Sequence, residues 1–140
     1  MVLKTAHRGY YIQTKNVNDL ITTCTVDIHS WNNRELWCPA FRVSDIASAT
    51  GSGDSSIAGF LAAFLNGRPI DNALKYANCV GYQNLHELDA VSGIKTWAET
   101  TDLIEKDELE MITIQLNTHN WKWEKRMKMW VGAKDINFKG

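Results

Sequence analysis

Apolar and polar positions along the chain recur first with a period of two and later with a period near 3.6. Val2 and Leu3 lead into a polar turn, Lys4-Thr5-Ala6-His7-Arg8-Gly9, from which Tyr10-Tyr11-Ile12-Gln13-Thr14 returns. The pattern predicts a strand, a tight turn and a second strand. Residues 20–29 (LITTCTVDIH) are rich in β-branched side chains and predict a further strand, followed by a loop over residues 31–34. Leu36 to Val43 is another strand candidate; Pro39 within it, lacking an amide hydrogen, forces an edge position or a break.

The rhythm then changes. Ile57, Phe60, Leu61, Phe64 and Leu65 fall at i, i+3, i+4, i+7 and i+8, one apolar stripe of a helix. Asn66-Gly67 supplies a stop signal and Pro69 lies just beyond it. A second helix is expected to start at Asp71 as its N-cap, with Ala73, Leu74, Ala77 and Val80 on one face. A third, more polar helix is expected from Thr96 to Lys106, and Met111 to Leu116 (MITIQL) alternates like a strand. The tail, 117–140, carries Trp121, Trp123 and Trp130 among lysines and arginines. Strands interleaved with helices predict the α/β class.

Composition narrows the picture. A chain of 140 residues holds one domain with a real core, and 44% hydrophobic against 22% charged residues is the balance of a globular protein. The net charge of −1, with no basic block, gives no footprint for nucleic acid. No apolar run approaches a membrane span of ~20 residues, and the first twenty residues lack the apolar core of a secretion signal. Cys24, Cys38 and Cys79 are odd in number and show no CxxC spacing, so reduced thiols in the cytoplasm are expected, with no disulfide framework or zinc site. His7, His29, His86 and His119 show no metal-ligand spacing, and no metal-ligating residues are assigned.

Candidate chemistry gathers at Ala49-Thr50-Gly51-Ser52-Gly53-Asp54, which enters the Ile57–Leu65 helix. Glycines at a loop-to-helix junction let successive amides face outward, and with the positive end of the helix dipole they make an anion site. No Gly-Lys-Ser/Thr follows, so this is not a Walker A loop. The charged side chain is an acid instead. An acid beside an anion site makes sense when phosphate is transferred to a hydroxyl: the amides stabilise charge on the phosphoryl group while the carboxylate accepts the proton. Alone, the four residues Gly51 to Asp54 favour a flexible turn and an ordinary N-terminal helix acid, because motifs this short recur by accident.

The longer run ATGSGDSSIAGFLAAFLNGRPIDNALKYAN resembles the C-terminal signature of the ribokinase (PfkB-type) sugar kinases. The family form is Asp-Thr-x-Gly-Ala-Gly-Asp, an Ala/Gly-rich helix, a Gly turn, and a second helix carrying Ala-Asn. Lys4 to Gly9 is similar to the family's Lys-x-Gly-x-x-Gly loop beside the nucleotide, and the resemblance spans roughly residues 1–105, leaving 106–140 as a Trp-rich extension of a single domain. It implies the C-terminal part of a Rossmann-like three-layer sandwich, and an ATP- and Mg²⁺-dependent transfer of the γ-phosphate to a sugar or related alcohol. By resemblance Asp54 is the catalytic base, Gly51, Ser52 and Gly53 supply anion-hole amides, Asn78 lies near the adenine, and Gly9 sits in the turn flanking the nucleotide. Three positions depart from the pattern. Ser48 replaces an aspartate that helps bind a monovalent cation in some members, Ala6 replaces the first glycine of the loop, and Ser52 replaces the usual alanine.

Members of that family carry an N-terminal half that supplies most sugar contacts and a small β lid, neither of which is recognisable here. The expectation is therefore a nucleotide-binding fragment whose uncovered apolar surface drives self-association as a homodimer. Two other readings stand beside the kinase: a nucleotide-binding relative without turnover, and a carbohydrate-binding module that stacks sugars on the tail tryptophans.

Overall fold

The computed structural model describes residues 1–17 and 27–140. Strand β1 (Val2–Lys4) turns through a short 3₁₀ segment, Ala6–Arg8, into antiparallel β2 (Tyr10–Gln13), with Val2 opposite Ile12 and Lys4 opposite Tyr10. The expected strand–turn–strand is present. Of the strand expected over 20–29, residues 20–26 lie outside the described residues. The remainder differs from expectation. Asp27 caps a single helical turn, α1 (Ile28–Trp31), its carboxylate accepting the His29 amide at 3.1 Å. An Asp that can bond a backbone amide two residues on favours a turn over a ladder.

Strand β3 (Glu35–Cys38) pairs antiparallel with β2, placing Leu36 opposite Ile12. It stops at Cys38, five residues short of Val43, because Pro39 has no N–H to continue the ladder. The same interruption explains why Met111–Leu116 is not a strand. That segment meets the chain beyond Pro39 only at a bridge between Phe41 and Met111, flanked by the bonds Arg42 N to Glu110 O (2.7 Å) and Ile112 N to Ala40 O (2.9 Å).

Three helices follow β3: α2 (Ser52–Leu65), α3 (Ile70–Asn84) and α4 (Trp97–Lys106). Helix α3 begins with Pro69 at the N-cap, so Asp71 sits in its first turn and does not cap it. Proline's fixed φ suits that junction, and its missing donor is no loss there. Ala73, Leu74, Ala77 and Val80 are buried as expected. Helix α4 starts at Thr96, whose hydroxyl accepts from the Glu99 amide while the Glu99 carboxylate accepts from the Thr96 amide, a reciprocal capping box.

The tail joins the sheet. Strands β4 (Trp121–Glu124) and β5 (Met129–Gly132) form a hairpin, and β5 pairs with β3, giving the order β1-β2-β3-β5-β4 with every described pairing antiparallel. One face of the sheet, with Tyr10, Ile12, Leu36, Cys38, Met129 and Val131, is buried in the core shared with α3. Helices α2 and α4 pack in turn on α3.

The expected packing face of α2 is corrected. Ser55, Ser56, Gly59 and Ala63 are its buried residues, while Ile57, Leu61 and Leu65 are exposed. Phe60 and Phe64 turn edge-on to Trp31 at 5.8 and 5.1 Å. Close approach decides the face: a Cβ on Gly59 would stand 2.9 Å from the Tyr76 carbonyl, and one on Gly81 would collide with the Ser56 hydroxyl. Helices that approach this closely can do so only through their smallest side chains.

Candidate active site

The start of α2 is built on Gly51, which has φ 75° and ψ −6°, a left-handed conformation that glycine adopts without strain. A Cβ there would also press on Ala90 at 2.7 Å. Gly51 supplies no side-chain cap, so the first amides of α2 look outward. The Ser52 amide turns back to the Ala49 carbonyl at 3.3 Å, whereas the Gly53 and Asp54 amides meet no acceptor among the described residues. Of the expected anion-hole donors, Gly53 is the one left free, and the Asp54 amide joins it. Ser52 is half engaged, and the part of Gly51 is conformational.

The Asp54 carboxylate stands exposed in the first turn of α2 and forms no ion pair among the described residues. Nothing in the structure consumes it as a cap. Beside it lies a residue the sequence reasoning did not single out: the Lys4 ammonium from β1 reaches so close to Gly53 that a Cβ there would be 2.8 Å from Nζ. A cation held at the positive end of a helix is unfavourable in the absence of an anion. The signal for it was the first residue of the Lys4–Gly9 turn.

This helix start opens on a cleft of about 560 Å³, walled by Ala6 and His7 of the turn, Phe41 to Val43, Ile46, Ser52, Asn78, Tyr82 and Ile112. Its volume lies within the range of small-molecule sites, and its wall joins an apolar slot to a polar end at Lys4 and Ser52. Asn78, 7% exposed, spends its Nδ2 on the Cys38 sulfur and the Pro39 carbonyl, both at 3.1 Å, so only its side-chain oxygen is free to face the cleft. Those bonds orient the amide. Tyr10, in the same wall, is 4% exposed and its hydroxyl has no hydrogen-bond partner among the described residues. Burial raises its pKa, and the nearby Ser56 hydroxyl offsets this only in part.

Gly9 does not line the cleft. With φ 105° it brings β2 against the end of β3, where a Cβ would run into the Cys38 carbonyl and the Pro39–Ala40 peptide. The turn residues that face the cleft are Ala6 and His7, with Tyr10 beyond them. The tail tryptophans are also placed elsewhere: Trp121 lies edge-on to Tyr11 and Trp37, both at 6.1 Å, and Trp123 to Trp130 at 5.5 Å. No cluster of three potential metal ligands exists among the described residues. No helix among them is long and apolar enough to cross a membrane.

Fold and site together define an α/β protein with an open helix N-terminus, a free carboxylate and an adjoining cleft. Comparison with known families gives this class its name. The model of the pfkB family carbohydrate kinases matches residues 13–97, more than half of the chain, and the chain belongs to that family. The matched span includes Gly51 to Asp54 and Asn78 but not the Lys4–Gly9 turn. Among solved structures, a nucleoside kinase of Methanocaldococcus jannaschii, described as an archaeal member of the ribokinase family, is similar at a TM-score of 0.59 and 19% identity. The similarity covers 75% of this chain and 29% of that one, so the chain spans well under half of the kinase it resembles. The α/β fold is therefore of the ribokinase type. Comparison with curated protein sequences gave no match.

Proposed function

We propose that this chain is the nucleotide-binding side of an ATP-dependent kinase that phosphorylates a hydroxyl of a sugar or related alcohol, with Asp54 as the general base. The observation that carries the reading is the start of α2, where an exposed, unpaired carboxylate and two free amides share one turn with the Lys4 ammonium. Negative charge on the transferred phosphoryl group is met by the Gly53 and Asp54 amides and by Lys4. The Asp54 carboxylate accepts the proton of the attacking hydroxyl. The apolar slot between Phe41, Ile46 and Tyr82 fits a nucleobase, with the Asn78 oxygen as an acceptor for its amino group.

Mg²⁺ suits this donor set as a companion of the nucleotide. It is commonly held by one or two carboxylates plus substrate phosphates, keeping several waters, and with no cluster of three potential ligands among the described residues the nucleotide phosphates would be its main holders. Bound there, it would neutralise phosphate charge. An ATP-using kinase of a small metabolite belongs in the cytoplasm. A nucleotide binder without turnover is the second reading, favoured by the share of the related kinase that this chain leaves uncovered.

Calorimetry with ATP, paired with acceptor-dependent ADP release over a panel of sugars and nucleosides, tests both. Asp54→Asn keeps the volume and the open amides, so ATP binding should persist while turnover falls by roughly 10² to 10⁴. Near-normal turnover in the variant would overturn the role of Asp54. ATP binding with no acceptor-dependent ADP release from the wild-type chain would establish the second reading.

A further inference from the structure

A second cavity, of about 360 Å³, lies apart from the start of α2, between the segment 107–114 that follows α4 and the β4–β5 hairpin. Trp123 and Trp130 stand in its wall and are direct cross-strand partners. Met129 and Val131, to either side of Trp130, are buried in the core. By strand alternation the two indoles therefore lie on the outer face of the sheet. That face of an antiparallel sheet is ordinarily polar. Here the rings meet at 65° with centroids 5.5 Å apart, an aromatic corner in which Trp123 is 36% exposed. Elsewhere the chain covers its aromatic rings with its own cations: Arg8 lies over Trp37 at 5.2 Å and Arg68 over Trp97 at 5.8 Å. Among the described residues none lies over Trp123 or Trp130.

The rest of the wall sets the charge of an occupant. Asp107, Glu108 and Glu110 bring three carboxylates to it, against the one ammonium of Lys128. Lys128 is spent on Asp107 at 2.5 Å, and Glu110 meets Arg42 at 3.5 Å. Glu108 has no ion pair among the described residues. These acids do not converge as a chelate, since no three potential metal ligands cluster among the described residues. A hydrated metal ion needs that convergence of oxygens. A bulky organic cation does not: indole faces attract its spread charge, and Leu109, Met111 and Ile114 suit its carbon atoms. A neutral sugar would stack on the same rings but gain nothing from the negative wall.

We propose that this cavity binds a small organic cation, an alkylated ammonium about the size of choline, held by Trp123, Trp130 and Glu108. The inference is independent of the kinase reading, because none of these three residues lines the nucleotide cleft.

Choline titrated against the full chain at constant ionic strength, followed by calorimetry and tryptophan fluorescence, should bind saturably. Dimethylbutanol, the neutral isostere with carbon in place of the nitrogen, should bind at least ~fivefold more weakly. That comparison needs no variant. Glu108→Gln removes the charge and Trp123→Leu one ring, and each should weaken choline binding by ~threefold or more. Both side chains are exposed, so far-ultraviolet circular dichroism should be unchanged. Absence of saturable choline binding, an isostere that binds as tightly, variants of undiminished affinity, or glucose bound at this site in preference to choline would each overturn the proposal.

Discussion

Cys38 shows how the environment of one side chain becomes a property of the whole chain. It ends β3 fully buried, and burial pushes its thiol from the ordinary 9.0 up to about 12, with the Asn78 amide pulling slightly the other way. Burial likewise pushes Cys79 up to about 11. Thiolate is the reactive form, so neither cysteine should react with iodoacetamide in the folded protein at mildly alkaline pH. Both should label once the chain is unfolded, as peptide mass spectrometry would report. The same shift sets a pH dependence of stability. A thiol whose pKa is raised by folding contributes fully below the unfolded value near 9.0. That contribution is lost as pH climbs toward about 12. Thermal melts should therefore show a falling midpoint above the unfolded thiol pKa, and Cys38→Ala should flatten that fall.

At the scale of elements, the turn between β1 and β2 carries a strain that the sequence made visible. Ala6, where the family pattern has glycine, sits at φ 50°, a left-handed conformation that costs a residue bearing a Cβ ~1 kcal/mol. Ala6→Gly relieves that cost at the expense of a more flexible unfolded chain. The expected net gain is up to ~0.5–1 kcal/mol, read as a higher urea midpoint at unchanged slope. Local signals of this kind were legible throughout: the Asn66-Gly67 stop and the Gly51 corner were both readable from neighbours in sequence. So was the position of Asp54. Contacts across the molecule were not. Periodicity located α2 but could not say that Gly59 meeting Tyr76 and Val80 would turn the small residues inward and the leucines out. Likewise MITIQL alternates as a strand should, yet its neighbour is the stretch just past Pro39, where only one bridge forms. Lys4 escaped notice because its approach to Gly53 spans nearly fifty positions of sequence.

For the whole molecule, the matched family span ends at residue 97, but the architecture does not. The tail is fastened to the core by a buried ion pair, Arg34 Nε to Asp135 at 2.8 Å, with side chains 7% and 0% exposed. The same carboxylate oxygen accepts the Glu35 amide at 2.8 Å, and the other accepts the Asn137 amide. Asp135→Asn would leave the Arg34 charge buried without its partner, a loss expected to be ~3–5 kcal/mol. Urea unfolding should show it as a much lower midpoint. A comparable loss is not expected at Lys106–Asp102, where both side chains are more than half exposed and solvent screens the pair.

The place of β5 also bears on how the chain is made. This strand is the last in sequence, yet it lies inside the sheet, between β3 and β4, with Val131 against Leu36. On a ribosome, β3 therefore emerges long before its neighbour exists. At ~5–20 residues per second the interval is on the order of 5–20 s. Throughout that time the nascent chain presents one edge of β3, and the apolar side chains that Met129 and Val131 will later cover, to whatever else is nearby. The emergence of β5, and not the completion of α2, is the event that lets this sheet close.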